Sequence, residues 1–242
     1  MGKNIIEVEH LSMAYDDKPV LWDAHIGIVE NSRTAIIGPN GAGKTTLLKG
    51  ILNIHPKLSG EVYIMGKSIR DVKREIAYIP QSNSVNWNFP ARVIDVVLMG
   101  RYVHLGWIKR PKKRDYEIAE ESLEKINMLE YKDRQISQLS EGQKQRVFIA
   151  RAIAQKAAIY FMDEPLAGVD KKTEKVIMNF LKEIQREGGT SIVVHHDLNT
   201  IGEYFDHLVI LNKSVVAQGK VSEVYNRENL ERASMVVGDG ID

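Results

Sequence analysis

The sequence of 242 residues contains no cysteine. This absence excludes disulfide bonds, thiolate metal sites and cysteine nucleophiles. Long apolar runs are also missing, since no stretch approaches the roughly 18 apolar residues that a membrane-spanning helix needs. The first residues lack the apolar segment of a signal peptide. We therefore expect any association with a membrane to be peripheral.

The sequence has almost no excess of charge of either sign. Lys plus Arg is 33 and Asp plus Glu is 32, a formal net charge of +1. A dedicated nucleic-acid-binding protein carries a basic surface, so we expect no nucleic acid among the partners. The 43% hydrophobic and 27% charged fractions are those of an ordinary globular protein and exclude a disordered or fibrous chain.

The apolar pattern alternates between strands and helices and then changes character. Short strands are predicted within 5–38, 61–65 and 75–80, with a helix from Thr45 to about Leu52. The part from 82 to 156 reads as mostly helical, with one apolar stripe formed by Ala119, Leu123, Ile126 and Leu129. Strands are predicted again at 158–165, 190–196 and 207–218, with helices near 171–187 and 197–204, while 226–242 gives no signal. This order predicts an α/β fold with a largely parallel sheet and a helical insertion.

A glycine-rich segment carries the first chemical motif. Gly38-Pro39-Asn40-Gly41-Ala42-Gly43-Lys44-Thr45 fits G-x-x-x-x-G-K-[ST] and lies between a predicted strand and a predicted helix. In such a loop the backbone N–H groups converge on a phosphate, and the helix N-terminus adds positive partial charge. Lys44 would reach the β- and γ-phosphates, and the Thr45 hydroxyl would ligate Mg²⁺. The alternative is a glycine turn that only begins a helix.

A second motif is the acidic end of a buried strand. The apolar run Ile159–Met162 is followed by Asp163 and Glu164. The carboxyl ends of parallel strands form the ligand-binding edge of an open α/β sheet. Asp163 would hold Mg²⁺ and Glu164 would accept a proton from the attacking water. The alternative is that both acids are only hydrated polar residues at the end of the strand.

Together these motifs resemble the ATP-binding cassette (ABC) ATPases over nearly the whole chain. The segment Leu139-Ser140-Glu141-Gly142-Gln143 is similar to the LSGGQ signature of that family. The resemblance implies a P-loop NTPase (RecA-like) core at 1–81 and 157–242, which includes an N-terminal antiparallel β part, and a helical subdomain at 82–156. It implies catalytic roles for Glu164, His196, Gln81 and Lys44. The implied nucleotide contacts are Tyr15, Gly38, Pro39, Asn40, Gly41, Ala42, Gly43, Lys44, Thr45, Thr46, Ser140, Gly142, Gln143 and Asp170, and the implied Mg²⁺ ligands are Thr45, Gln81 and Asp163.

The signature segment has two interpretations. Ser140 and Gln143 have the spacing of a capping box, in which the two side chains satisfy N–H groups at a helix start. The resemblance instead implies that the segment clasps the γ-phosphate of ATP held by a second copy, so hydrolysis requires a dimer. Glu141 departs from the family, which has glycine at that position.

The histidines give little evidence of a metal site. His195 and His196 are neighbours on a predicted strand, so their side chains point to opposite faces and do not chelate one ion. We expect His195 to be packed and hydrogen-bonded. The other histidines, at 10, 25, 55, 104 and 207, show no ligand spacing. We therefore expect ATP with Mg²⁺ and no other metal.

The region after Gln81 indicates the cargo. Residues 82–111 resemble those of cassettes that power manganese, zinc and iron uptake, which implies a divalent-metal importer, manganese first and zinc second. A permease would contact residues 82–110, with Trp87, Phe89, Tyr102 and Trp107 as candidate anchors or, alternatively, subdomain core. The resemblance also implies an extracytoplasmic metal-binding protein and a place on the cytoplasmic face of the membrane.

Other readings remain open at this point. The chain could serve a siderophore or cobalamin importer, act as a soluble cassette outside transport, or bind nucleotide as a regulator without turnover. The basic run at 109–114 is either a solvated loop or a site of attraction to anionic lipid.

Overall fold

The computed structural model describes residues 2–16, 18–81, 85, 87, 89–105 and 109–235. Its strands are β1 (Asn4–Tyr15), β2 (Lys18–Val29), β3 (Arg33–Ile37), β4 (Ser59–Ile64), β5 (Ile76–Ile79), β6 (Ile159–Asp163), β7 (Thr190–Val194), β8 (His207–Asn212) and β9 (Ser214–Lys220). Its α-helices are α1 (Lys44–Ile51), α2 (Ile69–Val72), α3 (Val93–Leu98), α4 (Tyr102–Leu105), α5 (Lys113–Lys125), α6 (Glu141–Gln155), α7 (Lys171–Arg186), α8 (Ile201–Tyr204), α9 (Val221–Val224) and α10 (Arg227–Arg232).

The chain forms two compact units. The first comprises 1–73 and 188–242, and the second comprises 74–187. The mixed α/β architecture predicted from the sequence is confirmed. The sequence predicted a nucleotide-binding core at 1–81 and 157–242 and a helical subdomain at 82–156. This division stays a prediction, because the two compact units are defined by packing and not by function.

An antiparallel sheet forms the start of the first unit, with strand order β2-β1-β4. Along most of β1 and β2, buried apolar residues alternate with exposed polar ones, as expected for a sheet with one solvated face. The alternation slips where the pairing register shifts. This sheet confirms the predicted N-terminal antiparallel β part.

The same unit contains a second group of strands, in the order β7-β3-β8-β9. β3 pairs in parallel with β7 and β8, and β9 returns antiparallel to β8. β7 is buried along its whole length, and β3 along all but its first residue, as expected for strands covered on both faces. The end of β3 is where the glycine-rich loop begins.

The second unit combines the parallel pair β5 and β6 with the helices α3 to α7. The predicted helical stripe is only partly right. Ala119 and Leu123 are fully buried on α5, but this helix ends at Lys125, and Asn127 has a φ of 55° that stops its continuation. Leu129 therefore lies in a separate 3₁₀ turn rather than on the helix.

Two further predictions at the C-terminal side need correction. The helix predicted near 197–204 is a 3₁₀ turn, Leu198–Thr200, followed by the single turn of α8. The part after 226 gave no signal in the sequence, yet α10 forms there, with Asn226 as its N-cap and Leu230 fully buried. Within the described ranges, no helix is long and apolar enough to cross a membrane.

Candidate functional site

The glycine-rich loop connects β3 to α1 and depends on close backbone contacts. A Cβ atom on Gly38 would clash with the carbonyl oxygen of Leu211 at the end of β8. Gly43 is the N-cap of α1 with a φ of 95°, a conformation that favours glycine. The Lys213 N–H donates to the carbonyl of Ala42 at 2.9 Å. The turn between β8 and β9 belongs to the same unit as the loop and therefore supports it.

Lys44 points back into this loop. Its Nζ donates hydrogen bonds to the carbonyl oxygens of Gly38 at 2.8 Å and Pro39 at 2.9 Å, and the residue is buried. α1 has no side-chain cap and no acidic residue in its first turn. The positive end of the helix and the ammonium group thus act on the same loop, which favours an anionic ligand.

Tyr15 ends β1 in the same unit, and its side chain is half-buried. The phenol ring stacks on the imidazole of His55, with centroids 4.2 Å apart and an interplanar angle of 26°. Nε2 of His55 is 3.0 Å from the carbonyl oxygen of Ala14. The tyrosine ring is therefore held in a fixed plane, which suits a stacking surface for a flat ligand.

The acidic strand end brings two predicted residues together in the second unit. Ile79 of β5 and Met162 of β6 are register partners in parallel strands. Gln81 and Glu164 each lie two residues further on, and Nε2 of Gln81 donates to Oε2 of Glu164 at 2.9 Å. Asp163 is buried at the end of β6. The pairing of the strands is thus the reason that residues 83 positions apart meet.

Glu164 also has an unusual backbone. Its φ is 51°, in the left-handed region that non-glycine residues seldom occupy. The Ala167 N–H donates to its carbonyl oxygen at 3.1 Å, closing a turn directly after β6. Strain of this kind is found preferentially at functional positions.

The signature segment forms the start of α6 and is a complete capping box. Oγ of Ser140 accepts from the Gln143 N–H at 3.4 Å, and the Gln143 side chain accepts from the Ser140 N–H at 2.9 Å. The capping interpretation of the sequence is therefore confirmed. The carboxylate of Glu141 forms an ion pair with Lys144 at 2.8 Å. This pairing compensates the charge that Glu141 introduces where the family has glycine.

Asp170 has a structural role that the sequence did not predict. It is the N-cap of α7, and its carboxylate accepts from the N–H groups of Lys172 and Thr173, each at 2.9 Å, and from the Thr173 hydroxyl at 3.0 Å. Hydrogen bonds from Thr173, the backbone N–H first, lower the pKa of Asp170. A Cβ on Gly142 would lie 3.9 Å from Oδ2 of Asp170, so two predicted nucleotide contacts are neighbours.

The two adjacent histidines differ as predicted. His195 is buried, its Nε2 lies 2.8 Å from the Thr200 hydroxyl, and its ring packs on Phe205. His196 is exposed. The expectation of a packed, hydrogen-bonded His195 is confirmed, and the role of His196 toward nucleotide stays a prediction.

In the predicted permease region the structure decides between the two alternatives for Trp87. Trp87 is 9% exposed and packs on Phe148, with ring centroids 4.6 Å apart, so it belongs to the core of the second unit rather than to a surface. Tyr102 is 48% exposed, and Met99, three residues earlier, is 45% exposed. Phe89 is half-buried. Ser84, Asn86, Asn88 and Trp107 lie outside the described residues.

One group of potential ligands was missed in the sequence. His10, Asp23 and His25 each offer a ligand atom, and these atoms all lie within 4.8 Å of one another on the antiparallel sheet. The sequence shows no ligand spacing for His10 and His25, yet the fold brings them together beside Asp23, and the expectation of no metal other than Mg²⁺ stays a prediction. Only pairing β1 with β2 in register would have revealed the grouping.

Comparison with known proteins identifies the family. The ABC transporter family profile matches residues 21–167. The chain belongs to the ABC transporter family. It is accordingly an ATP-binding and ATP-hydrolysing protein, as the resemblance implied.

Individual relatives cover almost the whole chain. The zinc transport system ATP-binding protein TroB of Treponema pallidum is 51% identical over 94% of this chain and 86% of its own length. The manganese transport system ATP-binding protein MntB of Bacillus subtilis is 50% identical over 94% of this chain and 91% of its own. Among solved structures, an ATP-binding cassette of an ABC transporter in its ADP conformation has a TM-score of 0.81 at 25% identity, covering 96% and 98% of the two chains.

Proposed function

We propose that this ABC ATPase powers the import of a divalent metal ion, manganese first and zinc second. The observation that carries the proposal is the identity of about half of all residues, over 94% of the chain, to ATP-binding proteins of manganese and zinc transport systems. As an ATP-binding subunit it acts with a membrane permease. The cargo passes through that permease and is distinct from any ion bound with ATP.

The nucleotide chemistry is assigned residue by residue. Lys44 and the backbone N–H groups of 40–46 bind the phosphates, because the Lys44 ammonium group and the start of α1 bring positive charge to this loop. Tyr15 stacks on the adenine. Glu164 accepts the proton of the attacking water, and Gln81, which donates to the Glu164 carboxylate, orients it. His196 contacts the γ-phosphate.

The three residues assigned to Mg²⁺ offer oxygen ligands of the types that this ion prefers. Thr45 offers a hydroxyl, Asp163 a carboxylate and Gln81 an amide oxygen, which are the ligand types of a hard cation. Bound with ATP, Mg²⁺ neutralises the charge that develops on the phosphates. Thr45 lies at the start of α1, Asp163 ends β6, and Gln81 follows β5.

The signature segment is assigned to a second copy of the chain. Ser140, Gly142 and Gln143 lie at the N-terminus of α6, a position that favours a phosphate, and Asp170 is next to Gly142. One chain carries one phosphate loop and one signature, so two chains would complete two sites. Hydrolysis by a dimer follows from this arrangement.

The permease contact is assigned to residues 82–110. Met99 and Tyr102 are exposed large apolar side chains in this range, and aromatic residues and methionine are enriched in interfaces. The assignment places the chain on the cytoplasmic face of the membrane, with an extracytoplasmic metal-binding protein as an indirect partner.

Whole-cell metal content tests the proposal directly. Cells that lack the chain are compared with cells restored by wild type, by Glu164→Gln or by Glu124→Gln, and manganese, zinc and iron are measured under metal-limited growth. Glu124 is an exposed carboxylate on α5, so its variant is the matched control. We expect manganese to fall, and only wild type and the control to restore it.

Other outcomes separate the alternatives. A fall in zinc alone would keep the importer and change the cargo. A fall in iron alone would favour a siderophore importer. Unchanged content of all three metals would overturn metal import while leaving the ATPase, and a soluble role outside transport would become the leading explanation.

A further inference from the structure

The outer face of the antiparallel sheet carries a three-residue cluster that the ATPase mechanism does not use. It consists of His10 on β1 and of Asp23 and His25 on β2, all three exposed. Nδ1 of His10 lies 2.8 Å from Oδ1 of Asp23, and Nε2 of His25 lies 3.4 Å from the same oxygen. Three potential ligand atoms therefore converge on one point.

Two bulges in the pairing of β1 with β2 create this convergence. Between the partners Val8↔Ile26 and Leu11↔Ala24, β1 has one residue more than β2, and between Leu11↔Ala24 and Met13↔Leu21, β2 has one more than β1. His10 and Asp23 are at these two places, with φ values of 51° and 46°. Bulges redirect side chains, and here they place both residues on the exposed face beside His25.

The backbone around the cluster is fixed by hydrogen bonds. The Asp23 N–H donates to the Ser12 hydroxyl at 3.0 Å, and the Ser59 hydroxyl donates to the carbonyl oxygen of His10 at 3.2 Å. The histidine rings meet edge to face, with centroids 4.1 Å apart. The backbone of His10 and Asp23 is thus held in place, and the exposed side chains of the cluster contact one another.

The separations match those around a bound metal ion. Two ligand atoms about 2.1 Å from a tetrahedral ion lie about 3.4 Å apart. The distance from Asp23 to His25 is 3.4 Å, that to His10 is shorter at 2.8 Å, and all three ligand atoms lie within 4.8 Å of one another, so small side-chain rotations would bring them around one ion. An open cavity of about 360 Å³, lined by His10, Ser12, Trp22, Asp23, Leu58 and Ser59, leaves room for water as a further ligand.

The surrounding charge also favours a cation. Glu9 precedes His10, and its register partner on β4 is Glu61, so two exposed carboxylates face each other next to the cluster. Like charges that are directly opposite repel, and a bound cation relieves this repulsion. Two imidazoles with one carboxylate suit zinc and similar first-row ions, whereas Mg²⁺ prefers oxygen ligands alone.

We propose that His10, Asp23 and His25 form a surface site for a divalent first-row transition metal of the zinc class. The site joins two strands of the first unit through one ion, and it is independent of ATP and of the metal-import proposal. Metal binding to the isolated chain is therefore sufficient to test the site.

Calorimetric titration of the tag-free full chain with Zn²⁺, without nucleotide, tests this site. We expect one ion per chain, unaffected by millimolar Mg²⁺. His10→Ala and His25→Ala should each weaken binding at least about tenfold. His104→Ala removes an exposed histidine of the second unit and should leave the affinity unchanged. Zinc should also raise the Tm of wild type by ~5 °C at about 100 times the wild-type Kd, and at the same zinc concentration it should raise the Tm of each cluster variant by about half as much or less.

A conservative variant and a second probe guard against misfolding. Asp23→Asn keeps a side chain that tolerates the left-handed backbone and accepts a hydrogen bond but removes the charge, so it should fold like wild type and bind zinc more weakly. Co²⁺ should quench the fluorescence of Trp22, which is 60% exposed beside Asp23, and Trp22→Phe should remove that quenching. Zinc binding that is unchanged in the His10→Ala/His25→Ala double variant, or absent from wild type, would overturn the proposal.

Discussion

The glycine-rich loop and the acidic strand end are built from different parts of the polypeptide. The loop depends on main chain: Gly38 lies against a carbonyl of β8, Ala42 bonds to Lys213, and even Lys44 donates to carbonyl oxygens. The strand end depends on side chains, since Gln81 bonds directly to Glu164. The signature and Asp170 resemble the strand end, because their side chains make the capping contacts.

This difference predicts two kinds of sensitivity. A region held by main chain is damaged by atoms that are added, since there is no space for them. A region held by side chains is damaged when a substitution replaces a functional group. Such a region keeps its fold but loses the contact or the catalytic group that the side chain supplied. Four substitutions test this contrast, beginning with the largest expected effect.

Glu164→Gln should give the largest change. It keeps the size of the side chain but removes the base, so turnover should fall about 10²–10⁴-fold, or about 3–5 kcal/mol in the barrier, with ATP binding retained. Phosphate release and binding of a fluorescent ATP analogue measure the two properties. Glu124→Gln should match wild type in both. Full turnover by Glu164→Gln would remove this residue from the mechanism.

Gly38→Ala should damage the fold of the loop itself. The added Cβ clashes with the carbonyl oxygen of Leu211, and overpacking of this kind costs about 1–3 kcal/mol of unfolding free energy. Urea denaturation measures this loss, and ATP affinity should fall with it. Gly202→Ala is the control, since no atom lies within 4 Å of the Cβ it would add. Equal stability of the two variants would contradict the close contact at Gly38.

Ser140→Ala should cost about 1 kcal/mol of unfolding free energy, because an N-cap hydrogen bond of α6 is lost. Ser140→Thr retains the hydroxyl and serves as the matched comparison. Urea unfolding of both variants measures the difference. If alanine were as stable as threonine at this position, the capping box would contribute nothing to the folded state.

Asp170→Asn should have the smallest effect near neutral pH, because asparagine caps a helix about as well as aspartate. The folded-state pKa of Asp170 is lowered from 3.8, so its carboxylate adds stability above the unfolded pKa, and this is lost as the pH falls through the folded pKa. The Tm difference between wild type and variant, followed from pH 7 into acid, should therefore shrink. A difference that stays constant would show that the ionised form is not favoured by folding.

Much of this molecule could be predicted from the sequence. The strand pattern and the motif spacing located β3, the loop and α1, because glycine, lysine and helix start occupy fixed positions in one short segment. The packed His195 also followed, since neighbouring residues on a strand face opposite sides. The roles of the site residues toward nucleotide stay predictions.

The remaining features depend on contacts between distant segments. Trp87 was equally suited to core and interface by residue type, and only its contact with Phe148 decided for the core. α5 ends earlier than the apolar stripe indicated, because Asn127 has a left-handed backbone conformation. The spacing of apolar residues gives no information about that conformation. The histidine cluster needed the register between β1 and β2, which two bulges displace.

Those two bulges have a consequence for insertions and deletions. Pairing before and after them follows the same frame, because the additional residue on β1 is compensated by the additional residue on β2. The two bulges therefore shift the pairing register by one residue in opposite directions. At each bulge two consecutive residues are exposed, Glu9 with His10 on β1 and Trp22 with Asp23 on β2, so deleting His10 or Asp23 would restore regular alternation and leave the buried side chains facing inward. Loss of either residue would therefore remove the cluster without turning the buried face of the sheet outward.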